Sequence, residues 1–339
     1  RALKTGSPIF DADTRRRYVA EDLRVIEQIQ PDVIVGDLRL SLAVSAVKAG
    51  VPYLSLINAY WSPYAATRHP MPELPMTRML PLALARAIFH TVRPMVFKQH
   101  TKPLNRVRRE HGLDDLSDDL RTIYTWGDHT LYADVPELAP LEGLPANHHF
   151  IGPVTWSPRT SLPAWWDDLP DDRPIVYATF GSSGRADLMH AVLAAAADLP
   201  VTVIAATARR VNITDAPRNA RIADYLPGDA AAARAGAVVC NGGSPSTHQA
   251  LAAGTPVLGI ASNMDQHLNM ALVRDAGAGL ILRSDRADKA DIRAALSRLT
   301  GEQAYNAAAG RMKAAFARYD APSRLREVID AARRAFSRH

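Results

Sequence analysis

Cysteine is almost missing from this sequence: Cys240 is the single one in 339 residues, which excludes an internal disulfide and a zinc site built on a cysteine pair. Aromatic residues are 6% of the chain and do not interleave with the basic ones, so there is no stacking platform for nucleic-acid bases. No run of about 18 uncharged apolar residues occurs, which argues against a spanning helix. Arg1–Lys4 opens without the pattern of a secretory leader, and with the lone thiol this predicts a cytoplasmic, reducing setting. Charge of one sign is not in large excess either. The net charge of +5, with a basic tail from Arg324 to His339, reads as a solvated surface with no nucleic-acid partner and room only for weak peripheral membrane contact.

Metal and nucleophile motifs are also scarce. His148-His149 lacks the spacing that puts two ligands on one helix face. Asp11-Ala12-Asp13 precedes a basic helix instead of ending a strand, so no metal and no cofactor is expected. Neither Gly181-Ser182-Ser183-Gly184 nor Gly243-Ser244-Pro245-Ser246 is a nucleophile elbow, and Gly277-Ala278-Gly279 lacks the third glycine of a dinucleotide fingerprint.

What is present is a globular composition, 47% hydrophobic and 22% charged, at a length that predicts two domains. Prolines, tryptophans and acidic residues from Ile151 to Pro174 mark a linker over 152–173. Before it, the pattern predicts a helix over 21–29, a strand over 32–37, a helix over 42–49, a strand over 53–57 and an apolar helix over 81–97. After it come a strand over 175–180, a helix over 186–199, strands near 201–205 and 221–223, a helix over 229–236, then strands over 237–240 and 255–260. Such alternation predicts α/β architecture with doubly wound parallel sheets.

The most informative run is Val238 to Gln266. A buried strand ends in Asn241-Gly242-Gly243, where the backbone can approach a ligand. Ser244 reads as an N-cap with Pro245 at the first helical position, and Ser246, Thr247 and Gln249 lie on the first turns, where N–H groups and the dipole attract anions. Gly254 stops the helix, and after the next strand Asp265 and Gln266 open at a carboxyl end, within reach of hydroxyls on whatever carries the phosphate. Taken alone, an ordinary βαβ unit with turn and cap residues explains the glycines about equally well.

The run resembles the donor-binding motif of family 1 GT-B glycosyltransferases, the UDP-glycosyltransferases and macrolide glycosyltransferases that use nucleotide-diphosphate sugars on small lipophilic acceptors. Gly242-Gly243, Ser246-Thr247, Gly254-Thr255-Pro256, Asp265-Gln266 and Asn269 fall in register with it. Two positions depart: the phosphate-contacting His of the pattern falls on Asn241, and the acid that holds the ribose falls on Gln249. Neither carries charge, so phosphate binding would rest more on backbone N–H groups. The base-packing Trp-x-Pro-Gln element has its nearest match in Tyr225-Leu226-Pro227-Gly228.

The resemblance implies a GT-B fold, two Rossmann-like domains with parallel sheets facing across a cleft: an acceptor-binding domain over 1–151, a donor-binding domain over 174–320, and a last helix over 321–339 crossing back. Gly181, Ser182 and Ser183 would face the donor, a UDP- or dTDP-sugar. Asp37 would orient a catalytic His that deprotonates the acceptor hydroxyl, giving metal-independent transfer with inversion. Without the resemblance, Asp37 reads as a helix cap. That His is expected after a first βαβ unit, on the order of 30 residues, and none of the 11 histidines matches it, so the N-terminal domain reads as incomplete. His69 and His90 read first as surface or packing residues. The Met-rich segment 70–97 reads as core, with an acceptor pocket or a membrane-touching helix as the sharper alternative. The competing functions are a nucleotide-sugar binding or partner protein that has lost catalysis and, less favoured, a UDP-sugar epimerase of related fold.

Overall fold

The computed structural model describes residues 10–66, 69–181 and 184–336. The chain divides into two compact units, one of residues 1–67, 74–152 and 319–339, the other of residues 68–73 and 153–318.

The first unit holds α1 (Ala12–Ile29), β1 (Ile34–Asp37), α2 (Leu42–Ala49), β2 (Tyr53–Ile57), α3 (Pro75–Met79), α4 (Leu82–Glu110), α5 (Leu120–Tyr124), β3 (His129–Tyr132) and β4 (His148–Phe150). Its four strands are parallel in the order β1-β2-β3-β4. Helix α1 starts well before the expected Glu21. Asp11 caps it, its carboxylate accepting from the Thr14 N–H at 2.8 Å, and Arg16 pairs with Asp13 and Glu110, so the basic run that hid the first turns is tied down. Helix α4 continues past the expected Phe97, through Pro94 and Pro103. An internal proline costs roughly 3 kcal/mol, and burial of Leu104 and Val107 against Val19, Val44 and Ile123 offsets it. Buried Arg108 then clasps the Ala43 and Asp114 carbonyls.

The second unit holds β5 (Ile175–Thr179), α6 (Leu188–Ala196), β6 (Thr202–Ala206), β7 (Ala220–Ala223), α7 (Gly228–Arg234), β8 (Ala237–Cys240), α8 (Ser244–Ala253), β9 (Val257–Ala261), α9 (Met264–Asp275), β10 (Gly279–Arg283), α10 (Lys289–Gly301) and α11 (Gln303–Phe316). All six strands are parallel in the order β10-β9-β8-β5-β6-β7. They are apolar and buried on both faces: Val176, Val203, Val239 and Leu258 pack with Val192 and Leu296 on one, and Tyr177, Ile204 and Val238 are buried on the other. The chain winds outward from β5 through β6 to β7, then returns to the other side of β5 for β8, β9 and β10. The order therefore reverses between β5 and β8, the point at which open α/β sheets leave a crevice at their carboxyl ends.

The last helix, α12 (Ala321–Phe336), belongs to the first unit, where Val328 and Ala332 pack with Leu54, Leu131 and Ile151. Among the described residues no helix is long and apolar enough to cross a membrane. Ala332→Glu would bury a carboxylate with no partner among these apolar side chains, and is expected to destabilise the protein by about 3 kcal/mol or more in urea unfolding; a loss below about 1 kcal/mol would mean that α12 is not docked on this sheet.

Candidate functional site at the carboxyl ends of β5, β8 and β9

The loop after β8 is shaped by one side chain. Asn241, buried at the end of the strand, accepts from the Gly243 N–H at 3.1 Å through its Oδ1, closing a turn in which Gly242 takes φ +81°. A Cβ on Gly242 would lie 2.6 Å from Met270 Cγ, so the position is barred to other residues by conformation and by space. Gly243, not Ser244, is the N-cap of α8, and Pro245 sits one place later than expected. The Asn241 turn sets Gly243 extended, and the Thr247 N–H and hydroxyl both return to the Gly243 carbonyl, at 3.2 Å each, so the helix begins a residue early. Ser244 and Ser246 lie on the first turn, and Gly254 closes the helix in the left-handed region at φ +82°.

Thr247 and Gln266, both expected among the donor-contacting residues, are buried and hydrogen-bonded within the protein. Thr247 is 0% exposed, and its hydroxyl accepts from Asn269 Nδ2 at 2.8 Å. The same amide donates to the Gly242 carbonyl at 2.8 Å, so Asn269 on α9 ties the glycine loop to the start of α8. Gln266, expected in an open loop, is buried in the first turn of α9, where its Oε1 accepts from the Ser262 N–H at 2.9 Å and hydroxyl at 3.0 Å. It forms a capping box with Asn263. Asp265 lies beside it in the same turn, partly exposed.

Gly181, at φ +55°, follows β5; Ser182 and Ser183 lie outside the described residues. A Cβ on Gly184 would come within 2.9 Å of Asn241 Cβ, which brings the β5 and β8 loops together at the reversal of strand order. Arg210, which sequence reasoning missed, donates from Nη1 to the Gly181 carbonyl at 3.1 Å and the Gly184 carbonyl at 2.7 Å. It comes from a loop after β6 in which Ala208 and Arg209 both take positive φ, a conformation that nothing in a propensity scale foretells. Tyr225 is 46% exposed with the Arg209 guanidinium over its ring, while Leu226 is buried. Gln249 reaches away from the first turn of α8: its Nε2 donates to the Trp156 carbonyl, and its amide covers Gly228. Cys240 is buried, its thiol pushed up to about 12 by burial, so it is not a nucleophile.

In the first unit, Asp37 ends β1 and does not cap α2, whose N-cap is Ser41. Its accessible surface is that of an exposed residue, yet the protein surrounding the carboxyl raises its pKa through lost hydration. Among the described residues no group of three His, Cys, Asp or Glu could hold a metal ion.

A "PGL/p-HBAD biosynthesis rhamnosyltransferase" of Mycobacterium bovis (strain BCG / Pasteur 1173P2) is 54% identical over 314 residues, covering 93% of this chain and 70% of the relative. The chain belongs to the family 1 GT-B glycosyltransferases. A "PGL/p-HBAD biosynthesis glycosyltransferase" of Mycobacterium tuberculosis (strain ATCC 25177 / H37Ra) is 52% identical over 93% of this chain and 73% of its own length. Residues 190–331 match the family described as "Erythromycin biosynthesis protein CIII-like, C-terminal domain". The fold is shared with "Spinosyn Rhamnosyltransferase SpnG" (TM-score 0.70, 21% identity, 94% of this chain and 78% of that one). It is shared also with a kitacinnamycin glycosyltransferase (TM-score 0.69, 18% identity, 94% and 81%).

In this glycosyltransferase the Asn269 amide is a buried bridge between two elements. Asn269→Leu keeps the volume and strips both donors from the Gly242 carbonyl and the Thr247 hydroxyl. A loss of about 2 to 3 kcal/mol is expected by chemical denaturation; an unchanged midpoint would mean that the loop holds itself.

Proposed function

We propose that the chain binds a UDP- or dTDP-sugar at the carboxyl ends of β5 and β8 and transfers the sugar to a hydroxyl of a small lipophilic acceptor, with inversion and without a metal ion. The observation that carries this is the glycine loop at the reversal of strand order, closed by Asn241 and leading directly into α8. A diphosphate set beside that loop meets the positive end of the α8 dipole, which stabilises the charge that grows on the leaving nucleotide as the anomeric bond breaks. Tyr225, half-exposed with the Arg209 guanidinium over its ring, would pack on the base, and Asp265 would accept from sugar hydroxyls.

The relatives that share the fold include a rhamnosyltransferase complexed with thymidine diphosphate, which favours a nucleotide diphosphate donor here. Exposed Met79, Leu84, Ile88 and Met95 in the first unit suit a lipophilic acceptor or a weak contact with lipid. Asp37 is the group assigned to orient the proton-accepting imidazole that the family implies; an imidazolium beside it would draw its raised pKa back toward the carboxylate form. The buried Cys240 thiol suits a reducing, cytoplasmic setting.

A second reading, donor binding without transfer, is favoured by Asn241 and Gln249, whose side chains are engaged with Gly243 and Trp156. A relative 50% identical over 191 residues is named an "Inactive PGL/p-HBAD biosynthesis glycosyltransferase".

Asp265→Ala should weaken a sugar nucleotide by roughly tenfold, the value of about one charge-assisted hydrogen bond, while changing nucleotide diphosphate binding little; calorimetry that finds equal losses removes Asp265 from the sugar site. Asp37→Asn should abolish turnover without costing stability. Because the folded-state pKa of Asp37 is raised, ionisation opposes folding, so the wild type loses stability relative to the variant as pH rises through the aspartate range. A variant less stable than wild type at pH 8 would show that the carboxylate serves the fold instead.

A further inference from the structure

Residues 69–73 stand in the chain between β2 and α3, within the stretch that otherwise builds the first unit, yet they fold as part of the donor-binding unit. His69 and Met71 are buried there. Pro70 and Pro72 keep the segment extended, and its carbonyls are taken up by one side chain: Arg283, the last residue of β10, donates from Nη1 to the Met71 carbonyl at 2.6 Å and from Nη2 to the Pro72 carbonyl at 3.2 Å. The same guanidinium pairs with Asp285 at 3.1 and 3.2 Å, and that carboxylate is 1% exposed. His267, buried nearby with its pKa pushed down to about 4 by burial and by Arg283, stays neutral and leaves Asp285 to the arginine.

Glu73 fastens the other end. Its N–H donates to the Ser262 carbonyl at 2.8 Å, and its carboxylate accepts from the Ser284 hydroxyl. Ser284 in turn donates its N–H to the Ala261 carbonyl at 2.9 Å and accepts from Arg185 Nη1 at 3.1 Å through its own carbonyl. The strap is thus bound to the ends of β9 and β10 and, through Arg185, to the segment after the β5 loop. Ser262 is also the residue whose N–H and hydroxyl engage Gln266 Oε1, so Glu73 is two hydrogen bonds from the capping box that places Asp265.

Tethering a loop does not require a charge buried beside a carboxylate, which is costly unless its geometry is used. A guanidinium can serve two carbonyls and a carboxylate at once, which an ammonium cannot. We propose that residues 69–73 form a wall of the donor-sugar pocket and that Arg283 is the positioning residue that holds this wall against the Ser262–Gln266 turn. The proposal rests on the donor-site reading above. The strap is tied to the Ser262–Gln266 turn that carries Asp265, so it governs the sugar more than the nucleotide.

The test is calorimetric titration of the wild type, Arg283→Met, Arg283→Lys and Glu73→Gln with dTDP-rhamnose and UDP-glucose, each beside its nucleoside diphosphate. Arg283→Met is expected to lower sugar-nucleotide affinity about tenfold, within the usual range of coupling between sites, and to leave diphosphate affinity within about twofold. Arg283→Lys, which can reach one carbonyl, should recover part of the loss. Sugar-nucleotide affinity equal to wild type, or equal losses for both ligands, overturns the proposal. If Arg283→Met does not fold, Glu73→Gln and Ser284→Ala must show the same change of ratio. A wild type that binds neither nucleotide nor sugar nucleotide removes the donor-site reading itself, whereas one that binds both with a ratio unmoved by any variant removes only the strap.

Discussion

The second unit depends on the buried amide of Asn269. One NH2 group holds the Gly242 carbonyl and the Thr247 hydroxyl together, and so fixes the angle at which the glycine loop enters α8. A hydrogen bond of this kind adds only about 1 kcal/mol net, but leaving its partners unpaired in a dry interior costs more, so the bridge defines a single arrangement. Met270, the next residue, fills the space left by Gly242 and Gly259. A side chain at either glycine would displace that of Met270, and the same helix carries Asp265.

Around that bridge the polar side chains divide by task. Asn241, Thr247, Gln249 and Gln266 are spent on the protein's own backbone and hydroxyls, so their polar groups hold the shape of these turns. Arg210 and Arg283 also act on backbone: each guanidinium holds the carbonyls of a neighbouring loop, Gly181 and Gly184 in one case, Met71 and Pro72 in the other. The positive charge near the site is therefore structural before it is electrostatic.

The relatives extend this picture unevenly. Identity above 50% over most of the chain places it in the family. The solved structures, near 20% identity, share the architecture alone. Similarity this low with a common fold is expected where burial on both faces constrains only the apolar pattern of the strands.

The sequence by itself determined the parallel α/β plan, the strands over 53–57 and 237–240, the helix over 42–49 and the glycine turn, because each is written locally in apolar runs, a left-handed Gly254 and Pro-Gly punctuation. Element ends were less legible where a local signal lost to tertiary packing: Pro94 and Pro103 lie inside a helix because its far half is buried, and Ser244 lost the cap to Gly243 because Asn241 folds back. Which polar side chains the protein engages within itself was not legible at all. Thr247 and Gln266 match a motif in register, but their partners come from residues distant in sequence or from a capping box that only an assembled turn reveals. The membership of residues 69–73 in the second unit was likewise decided in three dimensions, since Arg283 and Ser284 lie some two hundred positions away and no periodicity couples residues so far apart.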